Sequence, residues 1–148
     1  MSVLFTLAKA KLNPPKKTFP SSANRTILVT GANTGVGYEA AVKCVQPGAA
    51  RLVLGVRSLK KGEDAKARIE AGQGTEPSQT VIEVWELDML DYDSIKAFAS
   101  RAGNQPPSLD YAILNAGVVM ATYQPSHYGW ETALQVNTLS TTYLALLL

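Results

Sequence analysis

The glycines between Thr30 and Gly37 are the residues whose spacing best indicates chemistry. Gly31, Gly35 and Gly37 follow the pattern Gly-x-x-x-Gly-x-Gly within the segment Thr-Gly-Ala-Asn-Thr-Gly-Val-Gly. Glycine at such positions lets the backbone turn sharply and approach a ligand closely, which a Cβ atom would block. Where a helix starts just after such a turn, its free N–H groups and positive dipole end form a seat for a pyrophosphate. A glycine cluster by itself also fits a plain loop, so the flanking elements decide between the two interpretations.

The flanking residues predict the elements that a dinucleotide-binding turn requires. The short apolar run 26–30 is typical of a buried strand. A helix is predicted over 35–46, because small and apolar residues recur on one face and Pro47-Gly48 ends the pattern. A strand before the glycines and a helix after them favour a cofactor turn over a plain loop. The residues of this turn expected to contact the cofactor are Gly31, Asn33, Thr34, Gly35, Val36 and Gly37.

Arg57 follows the second predicted strand, 51–56, and stands 20 residues after Gly37 (57 − 37). At about this separation a carboxylate would bind the ribose 2′-OH of NAD. A guanidinium would instead pair with the 2′-phosphate of NADP through charge-assisted bonds. The sequence therefore favours NADP(H) over NAD(H), and the alternative is an ordinary exposed arginine. Lys60 and Lys61 add positive charge nearby, on what is predicted to be a solvated helix face.

The rest of the chain repeats the same alternation of elements. Ser58 and Asp91 are candidate N-caps, and Gly72 and Gly103 are candidate helix ends. Strands alternating with helices predict right-handed βαβ units and a parallel sheet. The predicted class is an α/β, Rossmann-like, doubly wound parallel sheet that is truncated after about four βα units. Strands are predicted at 26–30, 51–56, 81–87 and 111–114, and helices at 35–46, 59–71, 91–102 and 130–148.

Two regions follow from the pattern: an amino-terminal arm over 1–24 and a single domain over 25–148. The arm has apolar residues at helical spacing, broken by Asn13-Pro14-Pro15, and is predicted to lie on the surface of the domain. The alternative for the arm is a membrane anchor, for which a longer amphipathic stripe is usual.

Composition excludes several classes of protein. The 148 residues include 14 Lys+Arg and 12 Asp+Glu, a net charge of +2 without the basic clustering of a nucleic-acid stripe. One cysteine, Cys44, excludes a disulfide framework, and one histidine, His127, excludes a metal site built on several histidines. No apolar run approaches the roughly 18 residues of a membrane span, and no secretory signal is recognisable. A soluble, cytoplasmic domain without a metal is expected.

Further motifs follow the later predicted strands. Leu87-Asp88 follows the third strand, and Asn115-Ala116-Gly117 follows the fourth; Val136-Asn137 lies in the last predicted helix. Together with the glycine turn, these motifs resemble those of the short-chain dehydrogenase/reductase family, in the same order, over 25–148. The amino-acid sequences of these motifs are similar to those of NADP-preferring members, in particular reductases of fungal secondary metabolism and the retinol-dehydrogenase-like group.

The resemblance implies a role for each motif. Asp88 would contact the adenine, and its alternative role is to form a turn before Asp91. Asn115, Ala116 and Gly117 would stabilise the strand end beside the cofactor, with the asparagine bonded to backbone across the sheet.

Asn137 is polar within an apolar helix, so a buried amide that must find partners is expected there. The family role of this residue is to hold a water in a proton relay. The alternative for Asn137 is a solvent-facing asparagine.

The catalytic residues of the family are not recognisable in this sequence. The resemblance implies a serine and a Tyr-x-x-x-Lys pair after a fifth strand, and the sequence given ends at Leu148, before such a strand. Tyr92 and Lys96 match the spacing by letter, but they precede Asn115 and lie on a predicted surface helix. The chain alone is therefore predicted to be inactive.

These residues leave three functions to compare. The favoured one is an NADP(H)-dependent oxidoreductase that interconverts a carbonyl and an alcohol on a small organic substrate, of which this is the amino-terminal part. Family members are usually homo-oligomers. The alternative is a non-catalytic, truncated remnant that binds a nucleotide or forms a heteromer. A methyltransferase is disfavoured by Arg57, where an acid would meet a ribose, and by Asn115-Ala116-Gly117.

Overall fold

The computed structural model describes residues 21–46, 48–72, 80–105 and 108–148. Most of the predicted arm over 1–24 lies outside these residues. In the described part, an isolated antiparallel bridge joins Ala23 to Ala49. No helix in these ranges is long and apolar enough to span a bilayer.

Strands and helices alternate along the described chain, as the sequence predicts. The strands are β1 (Thr26–Thr30), β2 (Arg51–Val56), β3 (Val81–Glu86) and β4 (Tyr111–Ile113). The helices are α1 (Gly35–Val45), α2 (Leu59–Ala71) and α3 (Tyr92–Asn104), followed by a last helix in three parts. These parts are α4 (Thr132–Leu134), a π-helical segment (Gln135–Ser140) and α5 (Thr141–Leu147).

The sheet is parallel, with the strand order β3-β2-β1-β4. After β1 the chain builds outward through β2 and β3, and then returns to place β4 on the other side of β1. This reversal is the topological switch point at which doubly wound sheets bind ligands, outside the carboxyl ends of the strands. The loops after β1 and β4 therefore meet at one place on the sheet edge.

Residues of β1 and β2 alternate between two cores on opposite faces of the sheet. Ile27 and Val29 face the core formed with α1 and α2. Leu28 and Val53 face the core formed with α3 and the last helix. Burial on both faces explains why these strands read as continuous apolar runs. Helices on both faces confirm the doubly wound arrangement.

A network of charged side chains surrounds Arg51, at the amino-terminal start of β2. The Arg51 Nε donates to Glu83 Oε1 at 2.7 Å, and the Trp85 Nε1 donates to Glu83 Oε2 at 2.8 Å. Arg101 approaches the same carboxylate at 3.7 Å. The hydrogen bond from Arg51 is the main reason that the pKa of Glu83 lies below its usual value, although partial burial opposes the shift.

The last helix departs from its predicted form. It begins at Thr132 rather than Trp130, because the Glu131 carboxylate accepts a bond from Leu134 N at 2.6 Å and caps the helix there. Its middle is a π-helix, in which Gln135 and Ser140 are buried. The Gln135 Nε2 donates to Leu90 O at 3.1 Å, and the Ser140 Oγ donates to Met89 O at 2.6 Å. These bonds tie the last helix to the segment that follows β3.

Candidate cofactor-binding site

The glycine turn joins the carboxyl end of β1 to the start of α1. Gly31 and Gly35 have positive φ values of 65° and 59°, a backbone conformation that favours glycine. The turn is held to the sheet by the Gly31 N–H, which donates to Gly55 O at 2.8 Å. Thr34 is the N-cap of α1, but its side chain makes no capping bond. The first N–H groups of α1 are thus not capped by a side chain, and Val36 beside them is 78% exposed.

The three glycines of the turn are required for different structural reasons. A Cβ on Gly35 would meet no atom within 4 Å, so this glycine faces open space and is required by its φ value. A Cβ on Gly37 would overlap Asn115 Nδ2 and Gly31 O, and one on Gly31 would lie 2.9 Å from Ala116 Cα. Gly31 and Gly37 therefore let the turn pack against the segment after β4. The sequence predicts these glycines for a sharp turn and for the close approach of a ligand, and it does not reveal this packing.

Asn115 and Ala116 lock that segment to β1. The Asn115 Nδ2 donates to Thr30 O at 3.1 Å, and the Ala116 N–H donates to Thr30 Oγ1 at 2.9 Å. The prediction that Asn115 bonds backbone across the strand ends is confirmed. Both bonds hold the loop after β4 next to the glycine turn, at the switch point of the sheet.

Asn137 fastens the same loop to the last helix. Its Oδ1 accepts from Val118 N at 2.8 Å, and its Nδ2 donates to Val118 O at 2.8 Å. The prediction of a buried amide at Asn137 is wrong, because the residue is exposed. The partners that the amide was expected to need are nevertheless present. A Cβ on Gly117 would lie 3.2 Å from Asn137 Oδ1, so Gly117 allows the loop to pass close to this side chain.

Asp88 forms a turn and also lines the site. Its Oδ1 accepts from Leu90 N at 2.9 Å, and its own N–H donates to Ser94 Oγ at 3.0 Å. The turn-forming interpretation is confirmed by these bonds. The carboxylate has capacity for further bonds, because its two oxygens offer about four acceptor positions.

One cleft at the carboxyl edge of the sheet is lined by six of the twelve predicted site residues. Including the open space at its mouth, its volume is about 550 Å³. Arg57 lies on its wall and is exposed. Among the described residues, Arg57 has no hydrogen bond or ion pair to a side chain or backbone group. The lining residues are Gly31, Asn33, Gly55, Val56, Arg57, Leu87, Asp88, Met89, Leu90, Ala116, Gly117, Val118 and Val136.

The other predicted residues surround this cleft without lining it. Thr34, Gly35 and Val36 form the start of α1, and Gly37 and Asn115 pack behind the turn. Val56 and Met89 also line the cleft and were not predicted as site residues, although their position at or soon after strand ends is a usable signal.

The family model for "short chain dehydrogenase" matches residues 25–147. This chain belongs to the short-chain dehydrogenase family. Among the curated relatives of this short-chain dehydrogenase is the short-chain dehydrogenase/reductase ffsI of Aspergillus flavipes, 50% identical over 94% of this chain and 40% of the relative. The short-chain dehydrogenase/reductase phmF of Phaeosphaeria nodorum is 47% identical over 93% of this chain and 40% of the relative. The chain thus spans about two fifths of the length of these relatives.

Solved structures of the family share the fold of this short-chain dehydrogenase. A short-chain dehydrogenase from Sphingobium yanoikuyae in complex with NADPH is 25% identical, with a TM-score of 0.69 over 83% of this chain and 46% of that one. A short-chain dehydrogenase from Shigella flexneri complexed with NADP is 29% identical, with a TM-score of 0.68 over 85% and 52% of the two chains. Family membership and these neighbours support a nicotinamide cofactor for this oxidoreductase fold.

Proposed function

We propose that this chain is the NADP(H)-binding part of an oxidoreductase that interconverts a carbonyl and an alcohol on a small organic substrate of secondary metabolism. The observation that carries the proposal is the cleft at the switch point. It combines the glycine turn, the start of α1 without a side-chain cap and the guanidinium of Arg57, which has no ion-pair partner among the described residues. Each of these groups matches a different part of the cofactor.

The pyrophosphate fits the start of α1. Backbone N–H groups and the positive end of the helix dipole favour an anion there. Gly35 leaves the space beside this helix start open, since a Cβ at Gly35 would meet no protein atom. The chain thus offers donors and room at one position, as a bound phosphate requires.

Arg57 supports a preference for NADP(H) over NAD(H). Its guanidinium lies on the wall of the cleft without a carboxylate partner among the described residues. It is therefore available for a 2′-phosphate, whereas an acid at this place would favour a free ribose. Asp88 lines the same cleft and retains acceptor positions for an adenine amino group.

When bound, the nicotinamide would supply or accept a hydride. In this chain, the segment 115–118 borders the cleft and is held by Thr30 on one side and Asn137 on the other. The relay role of Asn137 remains a prediction. Its amide is already bonded to Val118 in both directions, so its role in the described residues is to position that segment.

Tyr92 and Lys96 do not form a catalytic pair. The Lys96 Nζ bonds Asp93 Oδ1 at 2.6 Å, and the Tyr92 ring packs edge-on against Tyr143 at 5.7 Å. Neither residue lines the cleft. We therefore propose that the acid/base chemistry belongs to residues outside these 148, and that the chain alone binds the cofactor without turnover. A homo-oligomeric, cytoplasmic full-length protein is part of the same proposal.

The test is a titration of the 148-residue chain with NADPH and NADH, followed by a hydride-transfer assay with a panel of ketones and aldehydes. We expect NADPH to bind more tightly than NADH, with no turnover. Absence of NADPH binding by a folded chain would refute the cofactor proposal, and turnover would refute the predicted inactivity. Sequencing the transcript past the codon for Leu148 separates the two functional alternatives. A continued frame with Tyr-x-x-x-Lys supports the enzyme, and an immediate stop codon supports the non-catalytic remnant.

A further inference from the structure

Arg68 lies near the end of α2 and reaches the glycine turn. Its NH2 group donates to Asn33 O at 3.1 Å. Its guanidinium carbon also lies 4.2 Å from the centre of the Tyr38 ring, within the range of a cation–π contact. Asn33 belongs to the turn and Tyr38 to the first turns of α1. Arg68 therefore contacts both the glycine turn and α1, the two elements that are predicted to bind the pyrophosphate.

The bond to Asn33 O fixes the orientation of a peptide group. The Asn33–Thr34 peptide is planar and trans, so the Thr34 N–H points opposite to the Asn33 carbonyl. Because that carbonyl points to Arg68, the Thr34 N–H is directed away from the guanidinium. Thr34 makes no side-chain capping bond that would restrain the turn. Among the described residues, Arg68 is the one whose side chain holds this peptide through a hydrogen bond.

We infer that Arg68 is a positioning residue for the glycine turn: it orients the Asn33–Thr34 peptide and so sets the affinity of the cleft for the pyrophosphate. The inference rests on the proposed cofactor site. It assigns Arg68 a different task from Arg57. Arg57 would read the 2′-phosphate, whereas Arg68 would act through the turn and affect NADPH and NADH equally.

Three variants of the 148-residue chain test this role. Arg68→Met keeps an unbranched stem against Tyr38 and removes the guanidinium, and Arg68→Lys restores a charged donor. Lys66→Met is the control, because it removes the same charge from α2 at about 200° around the helix from Arg68. Dissociation constants for NADPH and NADH are measured at a temperature where each variant is fully folded. Arg68→Met should weaken both cofactors by about fivefold, the scale of one ordinary hydrogen bond, because this bond is exposed to solvent. Arg68→Lys should recover most of the loss, and Lys66→Met should change neither constant.

A second measurement follows the turn without any ligand. Backbone ¹⁵N relaxation should show the order parameter of Thr34 falling in Arg68→Met from about 0.85, typical of rigid backbone, toward about 0.6. Unchanged order parameters overturn the inference, as does a loss of affinity confined to NADPH, which would make Arg68 a direct phosphate ligand. A lower melting temperature with unchanged affinities and order parameters also overturns it, since Arg68 would then be a structural brace alone. If the unaltered chain binds neither cofactor, the proposed function fails, and the relaxation data still decide whether Arg68 holds the turn.

Discussion

Replacing Arg57 by methionine should convert a preference for NADPH into near indifference between NADPH and NADH. Arg57 is exposed on the wall of the cleft and has no ion-pair partner in the part of the chain that the structure describes. Its removal therefore leaves no carboxylate unpaired and removes only the interaction with a ligand. The NADH constant should stay within about twofold of its original value, because methionine removes nothing that NADH would use.

The size of the effect follows from that exposure. Two unit charges about 4 Å apart attract by about 1 kcal/mol in bulk water and about 4 kcal/mol near a protein surface. The residue is exposed, so the lower part of this range applies, raised by the hydrogen bonds of a guanidinium to a phosphate. A net value of about 1.5 kcal/mol corresponds to a roughly tenfold weaker NADPH complex. The loss should shrink as salt is added, since exposed charges are screened.

The assay is calorimetric or fluorescence titration with both cofactors at two salt concentrations. Lys60→Met is the matched control, because it removes a neighbouring charge from the start of α2. Arg57→Asp should go further and favour NADH, since a carboxylate there can bind the ribose 2′-OH. An Arg57→Met variant that binds NADPH as before, or that loses NADPH and NADH equally, would refute the assignment of this residue to the 2′-phosphate.

Two other substitutions test the packing around the site, and a third tests the ion pair of Glu83. Gly37→Ala should destabilise the fold by about 1–3 kcal/mol in denaturant titration, because a Cβ would overlap Asn115 and the turn itself. Gly103→Ala, which meets no atom within 4 Å in α3, should instead be neutral or slightly stabilising, and equal losses would contradict the clash. Asn137→Ala should lower stability by about 1–2 kcal/mol by removing two bonds to the backbone of the loop after β4; an unchanged unfolding midpoint would show that solvent replaces them. The hydrogen bond from Arg51 lowers the pKa of Glu83 below its ordinary value of 4.5 in the folded chain, so its ion pair stabilises the fold above that pH and is lost as the pH falls through the folded pKa. Glu83→Gln should therefore lower stability at neutral pH and flatten its decline below pH 4.5, and an identical acid profile for both proteins would contradict this account.

Local sequence patterns determined the elements and the location of the site. The apolar runs of β1 and β2, the N-caps at Ser58 and Asp91 and the C-cap at Gly72 depend on a few neighbouring residues, so they can be read from the sequence. The prediction that Gly103 ends a helix is wrong, because α3 continues to Asn104 and Gly103 lies within it. The carboxyl ends of parallel strands must share one edge, so motifs after successive strands are expected to meet. For that reason the cleft contains Arg57, Asp88 and the residues after β4 in the predicted relation to the glycine turn.

Only the tertiary structure decided what the individual side chains do. Gly37 is required by Asn115, a residue far along the chain, and no local pattern reveals that contact. Asn137 is exposed rather than buried, and its amide bonds the backbone of Val118, 19 residues earlier in the chain, which its helical spacing could not indicate. In the sequence, Arg68 is indistinguishable from any other charge on an exposed helix face. Only the packing of α2 beside α1 brings its guanidinium within hydrogen-bond distance of Asn33 O. Sequence patterns record periodicity and local bonding, whereas these contacts arise from the distances that chain folding sets between remote residues.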